Sequence, residues 1–353
     1  MRRRLLLSAG AAAAVTVGTG VTGTSRPARA RPGPHLTVAA DGSGDVTDIQ
    51  AAIDAVPVGN PGPFTIKIRP GTYLGRVVVP ADKPNIVLRG QGDDPSAVVI
   101  ADDRANGTPK PGGGTWGTSG SASVTVSGDG FAARNLTFAN LFDPAAHPEI
   151  TNRQAVAVLT RADRLVFDNV RFLGRQDTLY VNTPDVTVAS RAYFRKCRID
   201  GDVDFVFGRG TAVFDRCELR SLSRGSTTNN GYVTAASTDR AVPYGFLIRR
   251  SRLTGTAEPD TVSLGRPWHP GNDPAAAPST VIRDCWLGAH VRAATPWSDF
   301  GTWSWRDARY AEYANTGPGA AINPDRPQLT AEEAARLTPQ TWLAGADGWD
   351  PLR

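Results

Sequence analysis

Lysine is almost missing from this chain of 353 residues: four (Lys67, Lys83, Lys110, Lys196) stand against 35 arginines. The skew reads as genomic base composition rather than function. The net charge of +5 points to no acidic partner, because residues 1–30 hold five arginines (Arg2, Arg3, Arg4, Arg26, Arg29) and no Asp, Glu or Lys. Without them the net charge is zero, which removes the main support for a nucleic-acid binder. Cysteine is equally sparse: Cys197, Cys217 and Cys285 leave at least one thiol unpaired and form no C-x-x-C spacing. The four histidines (His35, His147, His269, His290) are scattered, so a structural zinc or a histidine metal centre is not expected. No G-x-S-x-G is present, which argues against a serine hydrolase. Nor does an amphipathic helix of ten or more residues lie between 130 and 290, which argues against a βαβ fold.

Only one long apolar run exists, "LLLSAGAAAAVTVG" at 5–18. It follows Arg2–Arg4 and leads to "ARA" at 28–30. A charged start, a short apolar stretch and a small-residue end are the parts of an export signal. The run is too short and too diluted by Gly, Ser and Thr for a membrane anchor. The expectation is a secreted, extracellular protein with a signal at 1–30 and a single domain at 31–353. The paired arginines hint at a twin-arginine route.

What is abundant is repetition. A six-residue phrase recurs as "ARNLTF" (133–138), "FDNVRF" (167–172), "FRKCRI" (194–199), "FDRCEL" (214–219), "IRRSRL" (248–253) and "IRDCWL" (282–287). Its fourth position reads Leu136, Val170, Cys197, Cys217, Ser251, Cys285. Each phrase is expected to be a short strand with period-2 alternation. Uneven spacing between phrases fits coils joined by loops of different length. A fixed column in one orientation favours parallel coils over a β-sandwich. The fold expected is all-β: a right-handed parallel β-helix whose coils stack about 4.8 Å apart. "TDIQAAIDAV" (47–56), with a Thr47/Gln50 capping box, and "TAEEAARL" (330–337), with Thr330/Glu333, are expected to be short helices covering its ends. Residues 105–121, rich in Gly and Pro, read as a surface loop. Cys197 and Cys217 share one inward slot on neighbouring coils, as buried thiols or as a disulfide.

Two further phrases match: "GRQDTLY" (174–180) and "GDVDFVF" (201–207). Asp177 lies seven residues after Val170, and Asp204 seven after Cys197. Stacked in register, the two aspartates sit about 5 Å apart at their Cα atoms, with Tyr180 and Phe207 aligned beside them. Close carboxylates split their pKa values, which suits one nucleophile and one proton donor. An aspartate ladder that only satisfies backbone N–H groups would look the same, and Asp143, seven after Leu136, favours that alternative. Gln176 and Gln154, the latter read as an amide in an otherwise apolar strand, offer oxyanion donors. A core amide satisfied by its neighbours is the plainer reading of Gln154. In "LGRPWHP" (264–270), Arg266 can orient a carboxylate and Trp268 can face a sugar ring.

These stretches resemble the pectin methylesterase (pectinesterase) family, in its bacterial secreted form. The carrying motifs are "GTY" (71–73), "QAVAV" (154–158), "GRQDT" (174–178), "GDVDFVFG" (201–208), "LGRPW" (264–268) and "AEYANTGPGA" (311–320), in family order over nearly all of 31–353. The resemblance implies a pectin-lyase-like β-helix that hydrolyses the C6 methyl ester of galacturonate units, giving pectate and methanol. Asp204 would be the nucleophile and Asp177 the general acid and then base. Gln176 and Gln154 would bind the oxyanion, Arg266 would orient Asp204, and Trp268, Tyr180, Phe207 and Val203 would contact substrate. No cofactor or metal is implied, and the expected partner is methyl-esterified homogalacturonan, met by a monomer without nucleic acid or membrane. Two features depart from the pattern. Gly75 stands where the family usually has Glu, and "TPDVTVASRA" (183–192) lengthens the stretch between the aspartates, where a loop edging the cleft is expected. The rivals are a pectate lyase or polygalacturonase on the same fold, and a non-catalytic polysaccharide-binding solenoid. A lyase would need several acids around Ca²⁺, and an inverting hydrolase wider carboxylates.

Overall fold

A computed structural model describes residues 35–352; the export signal expected at 1–30 lies outside the described residues. The recurring phrases do stack as parallel coils. Phe167 pairs with Phe194, Phe194 with Phe214, Phe214 with Ile248 and Ile248 with Ile282, each one coil on. Every strand-to-strand ladder among the described residues is parallel, in a 16-stranded sheet that turns a corner and a 7-stranded sheet. This is the parallel β-helix expected. The lumen holds its core, with Phe167, Phe194 and Phe214 fully buried in one column and Phe131 fully buried beside Phe167. Phe194 stacks on Phe167 at 4.7 Å and on Phe214 at 4.6 Å between ring centroids.

The phrases are not simple strands. Their third residues, Asn135, Asn169, Lys196, Arg216, Arg250 and Asp284, all lie at φ between 48° and 56°. A left-handed residue inserts one extra position, so inward side chains fall at positions one, four and six rather than in strict alternation. Each phrase thus wraps a corner, as strand Arg191–Arg195 followed by strand Arg198–Gly201 shows. Asparagine tolerates this conformation because its short amide can bond locally. Asn169 Nδ2 donates to Asn135 Oδ1 at 3.0 Å across the coils.

Position four faces inward beneath that corner. Its side chains donate to the position-one carbonyl of the preceding coil: Cys197 to Phe167, Cys217 to Phe194, Ser251 to Phe214, Cys285 to Ile248. All three cysteines are free and buried. Of the two readings of Cys197 and Cys217, the structure has thiols, and burial raises the Cys217 thiol far above its ordinary value and Cys285 to about 12.

Helix Ile49–Ala55 packs Ile49, Ala52 and Ile53 into the first coils. Its cap is Asp48, one residue later than the Thr47 expected, because Gln50 turns away to bond the backbone of Val78 instead. Helix Ala331–Arg336 has the expected Thr330/Glu333 capping box. It does not close the solenoid end. With helix Pro339–Leu343 it follows the outer face of the long sheet, where Trp342 and Leu343 cover the outward Tyr193, Val213 and Leu247. The loop expected at 105–121 is anchored rather than free: Asn106 and Gly107 donate to the carbonyls of Gln154 and Asn152, and Gly117–Gly120 forms a helical turn.

Lys196 occupies the next rung above Asn135 and Asn169, exposed and in a conformation that costs a non-glycine residue about 1 kcal/mol or more. Lys196→Asn is expected to raise stability by roughly 0.5–1 kcal/mol. A higher denaturant midpoint at unchanged slope checks this; an unchanged or lower midpoint refutes it.

Candidate active site

The repeated Gly-x-x-Asp phrase has a physical cause at each end. A Cβ on Gly201 would lie 2.2 Å from the Phe205 side chain, so only glycine lets the chain turn there. The aspartate is the next corner residue: Asp177 has φ 66° and Asp204 φ 51°. The strands that follow, Leu179–Val181 and Val206–Gly208, pair Leu179 with Val206 and Tyr180 with Phe207. That register places Asp177 and Asp204 on the same rung of adjacent coils, about 4.8 Å apart along the backbone stack. The Asp177 N–H bonds the carbonyl of Val203 at 3.0 Å, and the buried Thr178 hydroxyl donates to Arg175 and Asp200 carbonyls behind it.

Both aspartates are buried, each only 7% exposed. The environments then separate them. Arg266 donates to both Asp204 oxygens, Nε to Oδ1 at 2.8 Å and a terminal nitrogen to Oδ2 at 2.6 Å. Burial raises the pKa of Asp204, and this guanidinium opposes the rise. Asp177 is raised well above the ordinary value, by burial first and then by the negative charge of Asp204. Asp202, also buried, pushes both upward.

Arg266 is itself held. Its guanidinium lies 4.0 Å from the Tyr232 ring centroid and 4.2 Å from that of Phe300. Cation–π contact on both faces fixes the plane of the fork. Neither ring was singled out from the sequence. Tyr232 was within reach of the register argument: Val206 pairs with Thr234, so Tyr232 stands one coil beyond Asp204 on the same rung. Phe300 arrives from an irregular segment and carries no such signal.

A cleft of about 290 Å³ brings together Gln154, Gln176, Asp177, Tyr180, Asp204, Phe207, Arg266 and Trp268, with Thr118, Ser119, Ala235 and Phe300 completing its walls. Tyr180 and Phe207 stack at 4.1 Å between centroids, and Trp268 leans over them, 5.6 Å from Phe207. Gln154 is not in a strand. It precedes strand Val158–Thr160 and lines the cleft with its Oε1 buried and unpartnered. Val203 does not line this cleft; its connection is the backbone bond to Asp177. Nor does the lengthened stretch 183–192, which lies beyond the far end of strand Leu179–Val181. Asp143 is exposed, caps the turn to Ala145 and takes no part. At Gly75 φ is +116°, a conformation that disfavours a glutamate there. Alongside, sharing Gln176, a second hollow of about 240 Å³ is walled by Arg153, Arg175, Arg224 and Asp202.

Comparison with known proteins adds to this geometry. The profile of the pectinesterase family matches residues 35–345. The chain is 37% identical over 335 residues to pectinesterase A of Dickeya chrysanthemi, covering 86% of this chain and 87% of that one. In structure it is similar to a pectin methylesterase from Erwinia chrysanthemi, with a TM-score of 0.79 and 33% identity, covering 90% of this chain and 97% of the other. A second neighbour, a pectin methylesterase variant in complex with a hexasaccharide, also has a TM-score of 0.79, at 34% identity over 89% of this chain and 97% of that one. A parallel β-helix carrying paired aspartates, an oriented arginine and an aromatic wall, matched by a family profile over most of its length, identifies the chain as a member of the pectinesterase family of carboxylic ester hydrolases.

Proposed function

We propose that this enzyme is exported and hydrolyses the C6 methyl ester of galacturonate units in methyl-esterified homogalacturonan, with Asp204 as nucleophile. The observation that carries the assignment of roles is the asymmetry of the pair: Arg266 grips Asp204 with two hydrogen bonds, while Asp177 is raised further. Each carboxylate oxygen has two lone pairs, so an Asp204 oxygen held by Arg266 keeps one for attack. That oxygen bonds to the ester carbonyl carbon, and the carbonyl oxygen takes the negative charge. Gln176 and Gln154 offer amide N–H donors to it from the cleft wall. Collapse breaks the carbon–methoxy bond, and protonated Asp177 gives its proton to the leaving oxygen, releasing methanol. The acyl group remains on Asp204 as an anhydride. Asp177, now ionised, takes a proton from water, whose oxygen attacks the same acyl carbon. Asp204 departs as a carboxylate and Asp177 is again protonated. The product is a free uronic acid.

Supports for a sugar substrate are the stacked Tyr180 and Phe207 with Trp268, which form an apolar wall of the kind a pyranose face packs on. The neighbouring hexasaccharide complex agrees with a polymeric substrate. Arg153, Arg175 and Arg224 in the adjoining hollow suit carboxylates of units already de-esterified.

The test is methanol release from highly methylated pectin without added metal, with unsaturated uronides followed in the same tube. Methanol alone is expected; unsaturated or shortened chains without methanol would show different chemistry on this fold. Asp204→Asn, which keeps the shape and a bond to Arg266, is expected to fold and lose at least about a thousandfold in kcat. Near-normal turnover would remove Asp204 from the mechanism. Alanine at 204 is a poorer probe, since it strands a mostly buried guanidinium.

The pH behaviour has a definite sign. Ionised Asp204 and protonated Asp177 together predict a bell-shaped kcat/KM profile, its alkaline limb belonging to Asp177 and both limbs above the ordinary aspartate value of about 4. A profile flat down to about pH 4 would contradict this. For folding, a carboxyl whose pKa is higher in the folded state binds more protons there. Its contribution is full below the unfolded value and is lost as pH rises through the folded one. Asp177→Asn is therefore expected to raise the Tm at neutral pH, with the gain vanishing below about pH 4. A gain independent of pH would exclude that cause.

A further inference from the structure

One cluster of charge lies outside the reaction cleft and plays no part in the chemistry above. Trp116, just before the helical turn Gly117–Gly120, has three cations round its ring: Arg104 at 4.6 Å from the centroid, Lys110 at 5.6 Å and Arg76 at 6.0 Å. The carboxylate paired into the group is Asp102, bound to Arg104. Arg76 has its Nε buried without a hydrogen-bond partner, and Gly75 beside it supplies no acid. Three cations and one paired acid leave the group with unbalanced positive charge, and like charges held together on a partly buried frame favour an added anion.

Its position says which anion. Arg76 directly precedes strand Val77–Val79, one position nearer its strand than Asp177 and Asp204, which each stand two residues before theirs, so all three lie at the same edge of the seven-stranded sheet. Strand Val77–Val79 is three pairings from strand Leu179–Val181, which is about 14 Å at the spacing of parallel strands. Trp116 is joined to the cleft by its own chain, for Thr118 and Ser119 line the cleft wall. A polymer that occupies the cleft and extends toward the N-terminal coils therefore meets this group.

We propose that Arg76, Arg104 and Lys110, arranged around Trp116, form a remote subsite for the free carboxylates of already de-esterified galacturonate units. The inference rests on the function proposed above and adds a preference: partly de-esterified chains bind better than fully methylated ones, because only they bring anions to Trp116.

Lys110→Glu tests this, since Lys110 is exposed on the loop and its exchange disturbs no core; unchanged Tm confirms the fold. The readout is KM and kcat for methanol release from fully methylated and from half-methylated pectin. On half-methylated pectin a roughly three- to tenfold higher KM with kcat preserved is expected, and no change on fully methylated pectin. The difference should shrink in high salt. Equal KM values for wild type and variant on half-methylated pectin would overturn the subsite. Calorimetric titration with a de-esterified oligogalacturonide, long enough to reach from the cleft to Trp116, separates the two levels of inference. If wild type releases no methanol at all, the esterase reading fails, and the titration alone decides the subsite: weaker binding by Lys110→Glu upholds it, equal binding refutes it.

Discussion

The parallel register between coils is the constraint on which everything else depends. Each backbone rung fixes which side chain of one coil lies over which side chain of the next, and a slip of one residue would turn every inward residue outward. The lumen enforces the register with the Phe167–Phe194–Phe214 stack, and the corners enforce it with a left-handed residue at the same point of each phrase. Backbone and packing therefore agree coil after coil, which is the condition for a single well-defined structure.

The Asp177–Asp204 pair is a local use of the same device. A left-handed corner ahead of a short strand accepts aspartate readily. Repeating it on the next coil brings two carboxylates to the same rung with no special loop. The rigid ladder supplies their proximity, and the cost of holding two acids together is met by the fold rather than by flexible side chains. Difference between them comes from one neighbour two coils on: Arg266, pinned between Tyr232 and Phe300, takes Asp204 and leaves Asp177 to the combined effect of burial and repulsion. One fold thus places two carboxyls side by side in different environments, both raised by burial and Asp177 the further.

The same edge of the short sheet carries several distinct groups of side chains. Aromatic residues and the paired aspartates stand at its middle, arginines in the adjoining hollow, and the Trp116 cations three strands toward the N-terminus. A solenoid is periodic, so each added coil extends the surface without altering the arrangement at the centre.

Much of this was legible in the residues themselves. The column Leu136, Val170, Cys197, Cys217, Ser251, Cys285 identified the coils, and the offset of seven put Asp177 and Asp204 on one rung, because a regular backbone turns sequence distance directly into position. The same count misplaced Asp143, where the chain leaves the coil and loops out before returning. It took the phrases for plain strands, since a left-handed corner of Lys or Arg has no distinctive composition. It put the C-terminal helices over an end rather than on the outer face, and stretch 183–192 beside the cleft. What only the tertiary structure decided are the contacts made by irregular segments: Phe300 on Arg266, Thr118 and Ser119 in the cleft wall, three cations round Trp116. Such segments have no periodicity to read, and their places are set by whichever surface the finished solenoid presents to them.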